Sequence, residues 1–290
     1  MNGSVLLGDV KKQFSILDDD YFQCIITSPP YFGHRNYSSD SINEIGREAN
    51  LSDYVKHLVE IFSLLRPKLR NDGLLWLNLG DTYKEKALLS VPWRVAIALQ
   101  NDGWILRSDV IWHKPNAMPS SVKDRPTIDH EYIFMFSKNL KYFYNADAIR
   151  EPHITFSEKS KTMGGRNHFG KRNGTPERGK NGGNPNLHNG RWDQAFHPNG
   201  RNKRTVWEIP LGKFRDAHFA VFPEKLVENC LLVSTQTNDY ILDPFCGSGT
   251  TGIVALKHCR NFIGIELVEK YQKMAQKRID GLIGLFNITT

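Results

Sequence analysis

The four cysteines of this 290-residue chain, Cys24, Cys230, Cys246 and Cys259, never form a CxxC pair. That spacing supports neither a disulfide framework nor a zinc site. The ten histidines are no better clustered, so no metal is expected. Long hydrophobic runs are missing as well: the most apolar stretches are too short, or too interrupted by charge, to cross a bilayer, and no membrane partner is expected. The opening Met1-Asn2-Gly3-Ser4-Val5-Leu6-Leu7-Gly8-Asp9 lacks the basic region, apolar run and small-residue cleavage site of a secretory signal, and reads as a strand ending in a turn. A cytoplasmic protein with reduced thiols is expected. Its hydrophobic fraction of 40% and aromatic fraction of 11% are those of a globular chain, long enough for one large α/β domain with an insertion or for two small domains.

The net charge of +7 is concentrated in one place. Between Arg150 and Arg204 stand twelve basic residues against four acidic ones, a surplus that accounts for the whole excess. A solvated basic face is one reading of such a run; confinement to one stretch of an otherwise neutral chain favours a polyanionic partner. From about 139 to 205 the sequence is rich in Gly, Asn and Arg and poor in aliphatics, so it cannot build a core of its own. Its few aromatics, Phe169, Trp192 and Phe196, interleave with basic residues, an arrangement suited to gripping phosphates and stacking on bases.

Elsewhere short β-branched runs alternate with helical patterns, the signature of a parallel sheet covered by helices on both faces. The pattern predicts seven strands, near Val5–Leu7, Gln23–Thr27, Gly73–Asn78, Trp104–Trp112, Glu131–Phe136, Tyr240–Leu242 and Asn261–Ile265. It predicts helices over Leu51–Leu69, Pro92–Asn101, Pro223–Ser234, Thr250–His258 and Val268–Ile279. No helical pattern separates the fourth and fifth strands, so an antiparallel pair is expected there.

Three constellations carry chemistry. Thr27-Ser28-Pro29-Pro30-Tyr31 closes an apolar strand, where ligands of open α/β sheets sit. Its prolines remove two backbone donors and stiffen the loop, so carbonyl oxygens and the Ser28 hydroxyl can line an acceptor-rich pocket. An exocyclic amine needs such acceptors, because its lone pair is delocalised into the ring until its hydrogens are drawn out of plane. Tyr31 offers a ring face for a base taken out of its stack. Second, Asp243-Pro244-Phe245-Cys246-Gly247-Ser248-Gly249-Thr250-Thr251-Gly252 joins a strand to a helix. Glycines there admit close approach of a nucleotide-like cofactor. The lysine of a phosphate-binding P-loop is missing, and the Asp243-Pro244 start favours a cofactor with a cationic amino group. Third, Glu266 ends a strand 23 residues beyond Asp243, where a carboxylate binds ribose hydroxyls. Asp9 could supply a contact near an adenine amino group.

These residues together resemble the DNA amino-methyltransferase family, in the β arrangement in which SPPY precedes the target-recognition region and FxGxG follows it. Here SPPY occupies 28–31 and FxGxG 245–249, with the basic tract between them. Gly73–Asp81, Trp112–Asn116, Asp124–Thr127, Thr205–Ile209 and Phe219–Pro223 are similar to further blocks of the family, so the resemblance spans nearly the whole chain. It implies an S-adenosylmethionine-dependent methyltransferase fold: α/β, a seven-stranded, mostly parallel, doubly wound sheet in permuted order, with one antiparallel strand and a target-recognition insert. The halves implied are 1–138, catalytic, and 206–290, cofactor-binding, with 139–205 as insert.

The resemblance assigns catalysis to Ser28, Pro29, Pro30 and Tyr31, acting on an amine of double-stranded DNA. It carries Asp243, Phe245, Gly247 and Gly249 to the methionine side of the cofactor, S-adenosylmethionine, Glu266 to its ribose and Asp9 to its adenine. Phe222, Pro223 and Lys225 would close the amino-acid end. Thr27, Pro244, Ser248, Thr250 and Leu267 complete the expected cofactor site, and Arg166, Lys171, Arg172, Arg191, Arg201, Lys203 and Arg204 are the expected DNA contacts. The family also brings in a cognate restriction endonuclease as a candidate partner. Ser rather than Asp at the head of SPPY is associated in the family with cytosine N4, the first choice of target. Adenine N6 or RNA by the same mechanism, a protein glutamine, and a catalytically silent DNA-binding module are the alternatives. A carbon-5 mechanism would need a nucleophilic cysteine in a Pro-Cys motif, which is absent; Cys24 and Cys246 are read as structural.

Overall fold

The computed structural model describes residues 2–33, 45–152, 199–212 and 222–288. The expected contacts Arg166, Lys171, Arg172 and Arg191 lie outside them. By its internal contacts the chain divides into two compact units, Met1–Asn145 with Thr205–Thr290, and Ala146–Arg204.

The first unit holds the sheet. Its strands are β1 (Gly3–Leu7), β2 (Phe22–Thr27), β3 (Leu69–Leu79), β6 (Ile105–His113), β7 (His130–Ser137), β8 (Val206–Glu208), β9 (Tyr240–Asp243) and β10 (Asn261–Glu266), in the order β1-β10-β9-β2-β3-β7-β6-β8; β4 (Tyr83–Lys84) and β5 (Ala87–Leu88) form a separate hairpin. Only β7 runs against its neighbours: it is antiparallel to β3 and β6, whereas the pairings among β1, β10, β9, β2 and β3, and of β6 with β8, are parallel. The expected antiparallel pair is therefore present. Among the described residues the sheet has eight strands rather than the expected seven. The extra one, β8, is three residues long, too short to show a periodicity, and it exists because Val206, Trp207 and Glu208 pair with Ile111, Trp112 and His113.

β2 is buried along its whole length, as a strand covered on both faces must be. On β3 the two-residue period separates the faces. Leu75, Leu77 and Leu79 join one core with Tyr54, Leu58, Ile61, Phe62 and Leu65 of α2 (Leu51–Leu65) and Val91, Val95 and Leu99 of α3 (Val91–Asn101). Trp76 points the other way, and its indole donates to Ser234 Oγ at 2.7 Å, at the end of α4 (Glu224–Ser234). Asn50 caps α2 by accepting from the Asp53 amide at 2.9 Å. The predicted extension of α2 to Leu69 fails: Arg66 keeps helical dihedrals, but Pro67 has no N–H to continue the hydrogen-bond ladder, the helix closes there, and Leu69 begins β3.

α5 (Thr250–Lys257) and α6 (Glu269–Ile288) cover the other end of the sheet. Gly252 of α5 lets that helix settle on β10: a Cβ there would stand 2.6 Å from the Phe262 ring and 2.9 Å from Ile279 Cδ1. The second unit, by itself, contains a short 3-10 turn, Ala146–Ile149, and an antiparallel bridge between Glu151 and Arg201.

Gly252→Ala should lower the unfolding free energy by about 1–3 kcal/mol through overpacking. Urea unfolding reads this out, and an unchanged midpoint would contradict the close packing.

Candidate active site

The carboxyl ends of β1, β10, β9, β2 and β3 converge on one cavity of about 470 Å³, a size suited to a small-molecule site. From β2 come Ser28, Pro29, Pro30 and Tyr31; from the turn after β9 come Pro244, Phe245, Cys246, Gly247, Ser248 and Thr250; Glu266, Leu267, Asp9 and Phe222 complete the expected residues that line it. The proline loop and the glycine turn, separated by more than two hundred residues of chain, thus open into the same space.

Five expected cofactor-site residues, Thr27, Pro223, Lys225, Asp243 and Gly249, do not line it. Thr27 and Asp243 lie behind the wall: Thr27 Oγ1 donates to Asp243 Oδ1 at 2.7 Å, Thr251 Oγ1 donates to Oδ2 at 2.6 Å, and the Phe245 amide donates to Oδ1 at 3.1 Å. The Asp243 carboxylate, 1% exposed, thus holds three hydrogen bonds from the chain itself and shapes the turn. Gly249 caps α5 with φ +82°, and a Cβ there would come within 3.0 Å of Ala275; it is needed for helix packing. Lys225 pairs instead with Glu228 at 2.6 Å, and Pro223 is the N-cap of α4.

What lines the side of the cavity next to the glycine turn fits a polar ligand. Gly247 takes φ +53°, and nothing lies within 4 Å of the point a Cβ would occupy, so the backbone is open there. The Ser248 and Thr250 hydroxyls are buried without a hydrogen-bond partner, and buried polar groups left unsatisfied at a helix N-terminus call for one. Glu266 accepts from the Gly247 amide through Oε2 and from the Val268 amide through Oε1, both at 2.9 Å, which orients its carboxylate. Asp9 Oδ1 caps α1 (Val10–Gln13), accepting from the Lys11 and Lys12 amides at 3.0 and 3.2 Å.

The side of the cavity next to the proline loop is a polar cluster. Tyr31 Oη donates to Glu131 Oε2 at 2.7 Å; Asn78 Nδ2 lies 2.6 Å from Tyr31 Oη, 2.8 Å from Glu131 Oε2 and 3.3 Å from Ser28 Oγ; Ser28 Oγ and Tyr31 Oη are 3.3 Å apart. Lys114 Nζ donates to Glu131 Oε1 at 2.5 Å and sits 4.6 Å from the centre of the Trp112 ring. Burial, and then the Glu131 carboxylate, push the Tyr31 phenol well above its ordinary value. The Pro30 carbonyl is taken by the Tyr54 hydroxyl at 2.9 Å.

Over residues 22–277 the chain matches the family described as DNA methylase. It belongs to that family. It is 38% identical to the Type II methyltransferase M.SmaI of Serratia marcescens over 95% of this chain and 90% of that protein. The PvuII DNA methyltransferase (cytosine-N4-specific) has the same fold, with a TM-score of 0.69 at 19% identity, covering 99% of this chain and 92% of that one. A complex of M1.HpyAVI with SAM superposes with a TM-score of 0.58 at 21% identity over 96% and 98% of the two chains. The fold of the methylase is that of the S-adenosylmethionine-dependent methyltransferases.

Sequence reasoning about this methylase missed Asn78, Lys114 and Glu131 as site residues. Asn78 had a usable signal, a lone amide in the run Leu74–Leu79, since a buried polar side chain is the informative exception in an apolar strand. Lys114 and Glu131 also had one: the antiparallel pair expected between the fourth and fifth strands sets the end of one beside the start of the other, as His113 opposite His130 shows. The cysteines behave as structural. Cys24, Cys230 and Cys246 are buried, and burial pushes all three thiols up, which disfavours the nucleophilic thiolate. In the second unit, Arg201 and Lys203 each pair with Glu151 at 3.2 Å, so two of the expected DNA contacts share one carboxylate.

Burial raises the Asp243 pKa to about 6. Between its unfolded value and that figure the folded methylase holds a proton the unfolded chain has released, so stability falls as pH rises through this window. Relative to Asp243→Asn, the wild type should lose about 3 kcal/mol between about pH 4 and pH 6. Urea unfolding of both proteins across that range measures it; parallel curves would contradict it.

Proposed function

We propose that this methylase transfers a methyl group from S-adenosylmethionine to the exocyclic N4 amine of cytosine in double-stranded DNA. The observation that carries the reading is the shared cavity: an amine-accepting SPPY loop and a glycine turn backed by Glu266 face the same 470 Å³. S-adenosylmethionine is its cofactor and, when bound, supplies a methyl group activated by the neighbouring sulfonium. The residues fit it: Phe245, Gly247, Ser248 and Thr250 for the amino-acid end with Phe222, Glu266 for the ribose hydroxyls, Asp9 and Leu267 for the adenine end.

Catalysis by the chain is chiefly positioning. Ser28 Oγ and the Pro29 carbonyl accept the two amine hydrogens and free the nitrogen lone pair. The Pro30 carbonyl, already occupied by Tyr54, is left out of that pair. Tyr31 supports the ring of a base flipped out of the duplex, and apolar walls such as Pro29, Pro244 and Phe245 keep water from the reacting atoms. No thiolate takes part, and no covalent enzyme intermediate is required.

Cytosine is favoured over adenine by the serine at position 28, together with the cytosine-N4 specificity of the PvuII enzyme whose fold the chain shares. Incubation with methyl-labelled S-adenosylmethionine and mixed-sequence DNA, followed by nucleoside mass spectrometry, should yield N4-methylcytosine. N6-methyladenine would keep the chemistry and reverse the base, and an unlabelled digest across several DNAs would remove the function.

We assign duplex binding to the basic insert. Twelve basic residues between Arg150 and Arg204 suit phosphate contacts, each neutralised phosphate adding about −0.9 to the slope of log affinity against log salt. Replacing Arg166, Lys171, Arg172 and Arg191 by glutamine should flatten that slope by roughly 2–4 units; an unchanged slope would take the insert out of the phosphate contacts.

A further inference from the structure

The distances in the polar cluster beside the proline loop favour one arrangement of its protons. Glu131 accepts and cannot donate, and its Oε1 is taken by Lys114 at 2.5 Å. The single Tyr31 proton therefore goes to Glu131 Oε2. Asn78 Nδ2 has two hydrogens and three neighbours; the shorter contacts, 2.6 Å to Tyr31 and 2.8 Å to Glu131, take them. With its own proton committed to Glu131, Tyr31 Oη can only accept from Ser28 across 3.3 Å. Ser28 is thereby the donor of that contact, and the lone pairs of its oxygen remain for the cavity it lines.

We propose that Glu131, held by Lys114, is a positioning residue that sets the direction of this chain and so keeps Ser28 an acceptor toward the target amine. The idea rests on the amine-methylation reading above and deepens it. The loop alone does not determine whether a serine hydroxyl accepts or donates: the same Oγ turned the other way would present a hydrogen to the N–H groups it has to hold. Glu131 removes that option through Tyr31, two residues along the network.

The Glu131→Gln variant isolates the effect because it nearly preserves shape while reversing polarity. Lys114 has donors only, so it draws the amide oxygen, which turns the new NH₂ toward Tyr31 and Asn78. Asn78, whose NH₂ faced the carboxylate, must turn its own oxygen toward the new NH₂, Tyr31 receives a hydrogen instead of giving one, and Ser28 loses the chain of acceptors that fixed its proton, which is free to turn into the cavity. Tyr31→Phe tests the same chain at its middle, keeping the ring face and deleting the hydroxyl that connects Ser28 to Glu131.

The experiment is single-turnover methyl transfer to mixed-sequence DNA by wild type, Glu131→Gln, Tyr31→Phe and the double variant, with S-adenosylmethionine affinity measured by isothermal titration. Each single substitution should slow transfer about 10- to 100-fold, the scale of one charge-assisted hydrogen bond, with cofactor affinity within about threefold of wild type. In the Tyr31→Phe background, Glu131→Gln should cost less than about twofold more, because the chain it directs is already cut. Losses that multiply in the double variant, a full rate in either single variant, or a slow rate explained by lost cofactor binding would each overturn the proposal. If Glu131→Gln does not fold, a full rate in Tyr31→Phe alone overturns it and a slow one with cofactor affinity retained supports it. No transfer by the wild type would overturn the amine-methylation reading itself, and this proposal with it.

Discussion

The buried carboxylate of Asp243 joins the two halves of the molecule. β9 and β2 are neighbours in the sheet although the residues at their ends, Asp243 and Thr27, are distant in sequence, and the 2.7 Å hydrogen bond between those side chains closes the seam. A second hydroxyl, from Thr251, and the Phe245 amide donate to the same carboxylate. Such a group is costly to bury unless every oxygen is paired, so the glycine turn and the start of α5 must fold around it in one way. The proline loop leaves the sheet directly after Thr27, and the glycine turn directly after Asp243. One buried acid therefore sets the spacing between the amine-accepting side of the cavity and its cofactor side.

On either side of that seam the chain uses different means. The cofactor side depends on backbone freedom and orphaned hydroxyls: the open Gly247, the unpaired Ser248 and Thr250, and Glu266 braced by two amides. The catalytic side depends on side chains that satisfy one another, Ser28, Tyr31, Asn78, Glu131 and Lys114, with little freedom left. A cofactor site must accept and release its ligand, so unsatisfied groups waiting for a partner suit it. A site that orients an amine gains from a network that has already paid its ordering entropy before the base arrives.

Much of the site was legible because its chemistry is local. SPPY and the 243–252 turn carry their meaning in adjacent residues: prolines that withhold donors, glycines that allow positive φ, a carboxylate at a strand end. Their placement at carboxyl ends of strands followed from the alternating pattern alone. What Asp243 bonds to within the chain was not legible for the same reason. An acid beside a glycine turn looks available in sequence, and only the arrival of Thr27 from another strand accounts for both its oxygens. α2 was overextended because the apolar period continues past Leu65, while the backbone donor that Pro67 lacks has no period. β8 was missed because three residues carry no pattern, and its partner strand, not its own composition, makes it a strand.

By itself the sequence determined the class of fold, the two loops that meet in the cavity, the family, and the concentration of positive charge between Arg150 and Arg204, since each of these resides in neighbouring residues or in counts. The tertiary structure alone decided which polar groups are spent and which are left over. Asp243 is consumed by Thr27 and Thr251, Arg201 and Lys203 share Glu151, and Glu131 reaches Tyr31 because β7 runs antiparallel to β3 and β6. The physical reason is that a hydrogen-bonding group has a small fixed number of partners. Which of them it uses depends on the register of strands that sequence proximity does not encode.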